Sequence, residues 1–267
     1  MSNENQNKTA LVTGATSGIG HELTKLLAKD KYNLVIVSRS EDELNDMAAM
    51  LQKENGIKVT VIAKDLFEPS AAEELYNEVK AKGIVVNILV NDAGQGVYGK
   101  FAETDLQSEL DIIQLNVSSL VVLTKLFLKD MIARKEGKIL QLASMVSRIS
   151  SPLMAVYAGT KAFVFNFTQS LINEVEGTGV TITALQPGAT DTDFFNKAGA
   201  ENSKVVQDGE LGDPADVAKD GYDAMMAGES KIVSGMKNKV QAAMANLTPD
   251  QVLAAQMRKM NEEDTSK

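Results

Sequence analysis

The sequence predicts an α/β protein, a single-domain Rossmann-type three-layer sandwich on a doubly wound parallel sheet of about seven strands. Three observations lead there. Short apolar runs alternate with amphipathic helical segments along most of the 267 residues. The run Ile84–Val90 is almost continuously apolar, as suits a strand covered on both faces. Between the first strand and the first helix lie Gly14, Gly18 and Gly20, where a tight turn lets backbone approach an anionic ligand at a helix N-terminus.

The elements come in order. Thr9–Thr13 is the first strand, and Leu23, Leu26 and Leu27 then recur at the three- and four-residue spacing of a helix face. Leu34–Val37 is the second strand, 41–54 a charged helix, Val59–Ala63 the third strand and 70–82 a helix. After Ile84–Val90 comes a long helical region, 104–134, whose apolar run from Leu115 to Leu128 suits burial on more than one side. Lys138–Ala143 is a strand, Ala155–Glu176 a helix, and Val180–Leu185 a strand closed by Pro187-Gly188. Strands separated by helices of this length argue repeated βαβ units.

Residues 189–212 break the rhythm and are expected to form a lid over the strand ends. Pro214 opens a helix at its first position with Asp213 as cap, and Lys231–Val233 is a last short strand. Beyond it, Val240, Met244 and Leu247, then Val252 to Met260, hold helical spacing and are expected to be packing surface. The expected organisation is a dinucleotide-binding and catalytic domain over 1–236 and a helical C-terminal extension over 237–267.

Composition narrows the chemistry. The chain holds 27 basic against 36 acidic residues, a net charge of -9. A field of that sign disfavours nucleic acid and anionic lipid as partners. Cysteine is absent and His21 is the single histidine, which excludes disulfides, thiolate sites and histidine metal cages. No metal is expected. The polar start, Met1 to Lys8, has no apolar signal core, and the apolar stretches Ile84–Val90 and Leu120–Leu128 read as too short or interrupted to span a bilayer. No membrane partner and a cytoplasmic location are the expectations.

Several residues sit where chemistry collects in such folds. Ser38-Arg39 ends the second strand, where an NAD site usually carries an acid for the ribose hydroxyls; Arg39 instead suits a 2′-phosphate and hence NADP. Asp65, after the third strand, serves equally as an adenine acceptor or a helix cap. Asn91, Ala93 and Gly94 follow the fourth strand, the glycine permitting close approach of a ligand. Tyr157 and Lys161, four apart on a helix, share a face. An ammonium beside the phenol is expected to lower its pKa and ready it as a proton donor. Ser144, at a strand end, would add a donor where charge develops.

In that order, these motifs resemble the short-chain dehydrogenase/reductase family from about Thr9 to Val233. The family's TGxxxGxG reads Thr13-Gly14-Ala15-Thr16-Ser17-Gly18-Ile19-Gly20. Its catalytic Asn, Ser, Tyr and Lys fall on Asn116, Ser144, Tyr157 and Lys161. Its PG motif is Pro187-Gly188, and its nicotinamide- or pyrophosphate-contacting Thr is Thr192. By the resemblance, Thr16, Ser17, Ile19, Ser38, Arg39, Asp65 and Leu66 also face the cofactor. One departure is visible: the family's N-N-A-G reads Asn91-Asp92-Ala93-Gly94. A second basic residue, sometimes found before the second motif glycine, is replaced by Ser17.

The resemblance implies hydride transfer between NADP(H) and a carbonyl or secondary alcohol, NAD(H) being the alternative cofactor. Tyr157 would be the proton donor and Ser144 a carbonyl-oxygen partner. Lys161 would act on the Tyr157 pKa and the nicotinamide ribose, and Asn116 on a water linked to Lys161. The substrate pocket would be walled by Gln95–Val97, the residues after Ser144 and 189–212, with Ile149, Leu153, Met154, Phe194 and Phe195 as apolar lining. A homotetramer is expected, a dimer the runner-up, through helices 104–134 and 155–176. The motif context is similar to a bacterial branch of the family. Two further readings stand beside this one: an NAD-dependent alcohol or hydroxysteroid-type dehydrogenase, and a non-catalytic cofactor-sensing or scaffold protein, which the complete Asn-Ser-Tyr-Lys set opposes.

Overall fold

A computed structural model describes residues 5–245 and 247–263. Within the polar start and the tail, residues 1–4, 246 and 264–267 lie outside the described residues. Seven strands form one sheet: β1 (Thr9–Thr13), β2 (Asn33–Ser38), β3 (Val59–Ala63), β4 (Val86–Asn91), β5 (Gly137–Leu142), β6 (Val180–Gln186) and β7 (Lys231–Val233). They run in the order β3-β2-β1-β4-β5-β6-β7 and every neighbouring pair is parallel. The strand order reverses between β1 and β4, which opens a crevice at their carboxyl ends.

Alternation within each strand feeds two cores. From β1, Ala10 and Val12 face one layer while Leu11 faces the other. In β4, Ile88 and Val90 join the first and Leu89 the second. Both faces are covered, so the strands read as unbroken apolar runs. The first layer holds α1 (Gly18–Lys29), α2 (Glu41–Asn55) and α9 (Pro214–Ala227); the second is built on α3 (Ala71–Ala81), α5 (Leu120–Arg134) and α6 (Ala155–Glu174). Caps are those the sequence offers: Ser40 and Asp213 accept from backbone N–H groups of α2 and α9, and Gly56 and Gly228 close them in left-handed geometry.

Two segments differ from their sequence reading. Region 104–134 is α4 (Leu106–Ile113), one π-helical turn at Gln114–Ser119, and α5. Together they make a 29-residue helix with the length and apolarity to cross a membrane, longer than the interrupted Leu120–Leu128 stretch suggested. Leu123, Phe127 and Met131 nevertheless pack beneath the sheet, each at most 2% exposed. Segment 189–212 is less irregular than expected, because α7 (Phe194–Ala198) and α8 (Lys204–Gln207) form inside it. Two helices follow β7, α10 (Met236–Ala245) and α11 (Asp250–Asn261). Asn261 ties the end of α11 down: it donates to Ser151 Oγ (2.9 Å) and the Pro152 carbonyl (2.7 Å), and its own carbonyl accepts from Tyr98 (2.6 Å).

Candidate active site

The glycine turn comes directly off β1. Gly14 and Gly18 have φ of 71° and 55°, the left-handed region that side chains resist. A Cβ at Gly20 would overlap the Gly14 carbonyl and the Asp92 carboxylate. At Gly18 it would come within 2.9 Å of the Thr192 side chain. The turn therefore makes a side-chain-free cradle, and Ser17, which precedes α1, places no side-chain hydrogen bond on the first N–H groups of that helix. Open N–H groups at a helix start fit a phosphate-bearing group. Thr192 lies against Gly18 from the 189–212 side, and Gly188 lies so close to Asn238 of α10 that a Cβ there would sit 2.5 Å from its amide nitrogen.

Asn116 sits in the π-helical turn and is 2% exposed. Its Oδ1 accepts from the Gln95 N–H (3.0 Å), and its Nδ2 donates to the Gln95 carbonyl (2.9 Å) and to Thr160 Oγ1 (3.0 Å). One side chain thus joins the loop after β4 to the helix that carries Tyr157 and Lys161. A π-turn inserts an extra residue into a helix and re-aims the side chains beyond it, a device common at functional sites.

Ser144 leaves β5 and caps the short 3-10 turn Met145–Ser147, with the Val146 N–H donating to its Oγ (3.3 Å). Its side chain shares the cavity wall with Tyr157 and pulls the phenol pKa down. Lys161 is 4% exposed. Its Nζ donates to the Leu142 carbonyl at 2.7 Å and lies 5.8 Å from the Tyr157 ring centre. Before this cluster, Leu153 holds φ of 69°, unusual for a branched apolar residue, while its carbonyl accepts from the Gly99 N–H (2.8 Å).

Electrostatics correct one expectation. Burial pushes the Tyr157 phenol up to about 12, opposed only by Ser144. Lys161 does not bring it down, because the ammonium is turned to the Leu142 carbonyl and is itself lowered to about 8 by loss of water. Desolvation wins over the lysine's field in the ligand-free protein. Asp92 is raised by burial to about 7, against the pull of Lys161 and of the Gly20 backbone.

The crevice opens into a cavity of about 520 Å³ whose lining runs from Ser17, Gly18 and Ile19 through Ser144 and Tyr157 to Pro187, Gly188 and Thr192. Ile149, Met154, Phe194 and Phe195 line it as expected, and Phe194 packs on Tyr157 with ring centres 5.0 Å apart. Met236, Met257 and Met260 of the C-terminal helices line it too. Sequence reasoning assigned that tail to packing, and its Met spacing carried no signal of a site.

A second hollow holds Arg39, Asp65, Phe67 and Gly96. Arg39 is exposed, with its guanidinium carbon 5.5 Å from the Phe67 ring centre. Ser38 lies beside it at the end of β2. Gln95 and Val97 join this hollow rather than the cavity beside Tyr157.

Two expected cofactor contacts are otherwise engaged. The Asn91 side chain is 4% exposed and donates to Thr124 Oγ1 and Gln141 Oε1, each at 3.0 Å, as a brace between β4, α5 and β5. Leu66 is 6% exposed and packs in the core, its carbonyl accepting from Ser119 (2.7 Å). Asp65 does not cap a helix: its carboxylate accepts from the Phe67 N–H at 3.1 Å in a local turn, and Ser70 is the residue that precedes α3. Thr16 and Ala93 stay half-buried at the turn and the crevice wall. Gly94 lies beneath Lys161, where a Cβ would be 3.4 Å from Nζ.

Sheet order, glycine cradle and the Ser-Tyr-Lys cluster on one cavity define a Rossmann-type α/β protein with its site at the carboxyl edge of the sheet. Residues 8–203 match the short chain dehydrogenase family, and the chain belongs to it.

Among its relatives is a very-long-chain 3-oxoacyl-CoA reductase of the fungus Phaeosphaeria nodorum, 37% identical over 183 residues. That alignment covers 66% of this chain and 53% of the reductase, so the chain spans about half the length of the curated relatives of that description. Further relatives so described come from fungi and animals. They overturn the expectation of a bacterial branch. Among solved structures, a Sphingobium yanoikuyae short-chain dehydrogenase in complex with NADPH superposes with a TM-score of 0.82 at 24% identity, covering 97% of this chain and 98% of its own. An alcohol dehydrogenase of the archaeon Thermococcus sibiricus, complexed with 5-hydroxy-NADP, gives a TM-score of 0.74 at 25% identity, covering 85% of this chain and 95% of that one.

A difference titration of wild type against Tyr157→Phe tests the balance of burial and charge. In the ligand-free protein, phenolate absorbance from Tyr157 is expected only above about pH 11. A phenolate forming near neutral pH would show that the Lys161 field prevails.

Proposed function

We propose that the chain is an NADP(H)-dependent oxidoreductase interconverting a carbonyl and a secondary alcohol. The observation that carries this reading is that Ser144 and Tyr157, with Lys161 behind them, line an apolar cavity whose other end is the glycine cradle. A bound nicotinamide dinucleotide supplies the carbon that gives or takes the hydride.

The chain's own residues do the remainder. Tyr157, protonated at neutral pH, places its hydroxyl proton where a carbonyl oxygen gains charge, and Ser144 offers a second hydrogen bond there. Lys161 fastens α6 to the end of β5 and Asn116 fastens it to the Gln95 loop, so that the phenol does not drift. Phe194 and Met154 exclude water around it. The side-chain-free turn at Gly14, Gly18 and Gly20 would hold the diphosphate at the start of α1, with Thr192 alongside. Arg39 supports the choice of NADP, since its guanidinium stands at the end of β2 with no acid in its place. The Thermococcus neighbour bound to an NADP derivative agrees with that choice.

The substrate we propose is a ketone on a long, flexible apolar body, a 3-oxoacyl thioester being the form that the reductase relatives suggest. Methionines from α10 and α11 suit such a body because they adapt to irregular apolar shapes. The 189–212 segment, with α7 and α8, acts as the lid.

We also propose a cytoplasmic homotetramer. Leu106, Leu110 and Ile113 form an exposed apolar strip on α4, and Phe163 is exposed on the neighbouring α6. A second copy laid on this strip would cover it, and the rest of the long helix is already packed against the sheet.

Calorimetric titration is expected to show NADPH binding roughly ten- to hundredfold tighter than NADH, with Arg39→Asp abolishing the difference. Equal affinities in the wild type would remove the NADP assignment. Tyr157→Phe is expected to cut turnover of a 3-oxoacyl thioester by about a hundredfold or more while NADPH affinity stays the same. Comparable turnover in that variant would dismiss Tyr157 as proton donor. Sedimentation equilibrium is expected to give the tetramer mass, with Leu110→Glu dissociating it; a wild-type monomer would refute the assembly.

A further inference from the structure

Asp92 stands where the resemblance puts an asparagine, and the chemistry proposed above makes no use of its charge. Its main-chain N–H donates to Thr13 Oγ1 (3.2 Å), which fixes it to the end of β1. Its carboxylate lies against the Gly20 backbone at the start of α1, which pulls its pKa down. Oδ2 lies 2.9 Å from where a Gly14 Cβ would be, and it would overlap one at Gly20. Oδ1 is sealed from solvent and has no hydrogen-bond partner among the described residues. The residue lines the cavity of Tyr157 beside Ser17, Gly18 and Ile19. A carboxyl group therefore braces the same glycine turn that presents N–H groups to phosphates.

Among the described residues, the charged group acting on Asp92 is Lys161 from α6; β1 presents the Thr13 hydroxyl and α1 the Gly20 N–H, neither of which carries charge. An ionised carboxylate on that turn repels a diphosphate brought to it, and the repulsion is strong away from bulk water. A protonated carboxyl does not, and Oδ1 is free to hold the proton. We infer that Asp92 is a proton-linked positioning residue, taking up one proton from solvent as an anionic diphosphate settles on the glycine turn and releasing it when the ligand leaves. The O–H bond on Asp92 is the only covalent bond formed. This rests on the dinucleotide reading above. Burial already holds the carboxyl near neutrality, at about 7, so the added negative charge of the ligand raises it through the working range.

Linkage sets the sign. If the bound state holds the proton more tightly than the free state, affinity falls as pH rises between the two pKa values, by up to about tenfold per pH unit. The test is calorimetric titration of NADPH into the full chain at about pH 8, in two buffers of different ionisation enthalpy, where the 2′-phosphate (second pKa about 6) is already fully ionised. The expected wild-type result is uptake of about half a proton or more per NADPH, with Kd rising as pH is raised. Asp92→Asn is expected to bind with almost no proton uptake and a flat Kd over the same range.

Binding by the wild type without proton uptake would overturn the inference and leave the dinucleotide reading standing. Failure of the wild type to bind NADPH would overturn both. Uptake that persists in Asp92→Asn would assign the proton to Lys161, whose ammonium loses its acidic neighbour in that variant, and would equally overturn it. Asp92→Ser serves as the second variant if the asparagine protein does not fold.

Discussion

Loss of water at the carboxyl edge of the sheet is the constraint on which the site depends. Lys161 is almost fully covered, so its ammonium must find fixed partners, and it takes the Leu142 carbonyl at the end of β5. The same burial keeps the Tyr157 phenol protonated and lifts Asp92 toward neutrality. Three titratable groups within one crevice thereby have their proton equilibria moved away from where water would set them. Buried charge is tolerated only where each group is met by a dipole or an opposite charge.

That constraint explains why the scaffold around the crevice is so heavily braced. Asn91, Thr124 and Gln141 form a buried hydrogen-bonded triad under it. Asn116 joins the loop after β4 to α6 through three hydrogen bonds. The π-turn that carries Asn116 interrupts an otherwise regular 29-residue helix at the level of the site. Positions that must be held to fractions of an ångström are set on strands and helices, and the walls that must admit a substrate are set on short helices and methionines.

The C-terminal helices show how a distant segment becomes part of the site. Asn261 and Tyr98 lie 163 residues apart and share a hydrogen bond. The Lys204 N–H, in α8, donates to the Glu262 carbonyl (2.9 Å). Through these contacts α11 is fastened both to the loop after β4 and to the 189–212 segment. Met257 and Met260 are thereby brought to the cavity wall.

Hydrophobic periodicity and turn chemistry are local, and so the sequence by itself determined the strands, the α/β class, the glycine turn and the candidate Ser144, Tyr157 and Lys161. Apolar runs covered on two faces, such as β4, have no other stable use in a chain of this kind. Element ends shifted by only a few residues, as with β4 beginning at Val86 rather than Ile84. What a side chain does once buried depends on neighbours far along the chain. Only the tertiary structure decided that Asn91 braces the core, that Lys161 faces a carbonyl instead of lowering the phenol, that Asp92 lies against Gly20, and that α11 walls the cavity. Desolvation and partner choice exist only after packing has removed the water, and no spacing rule records them.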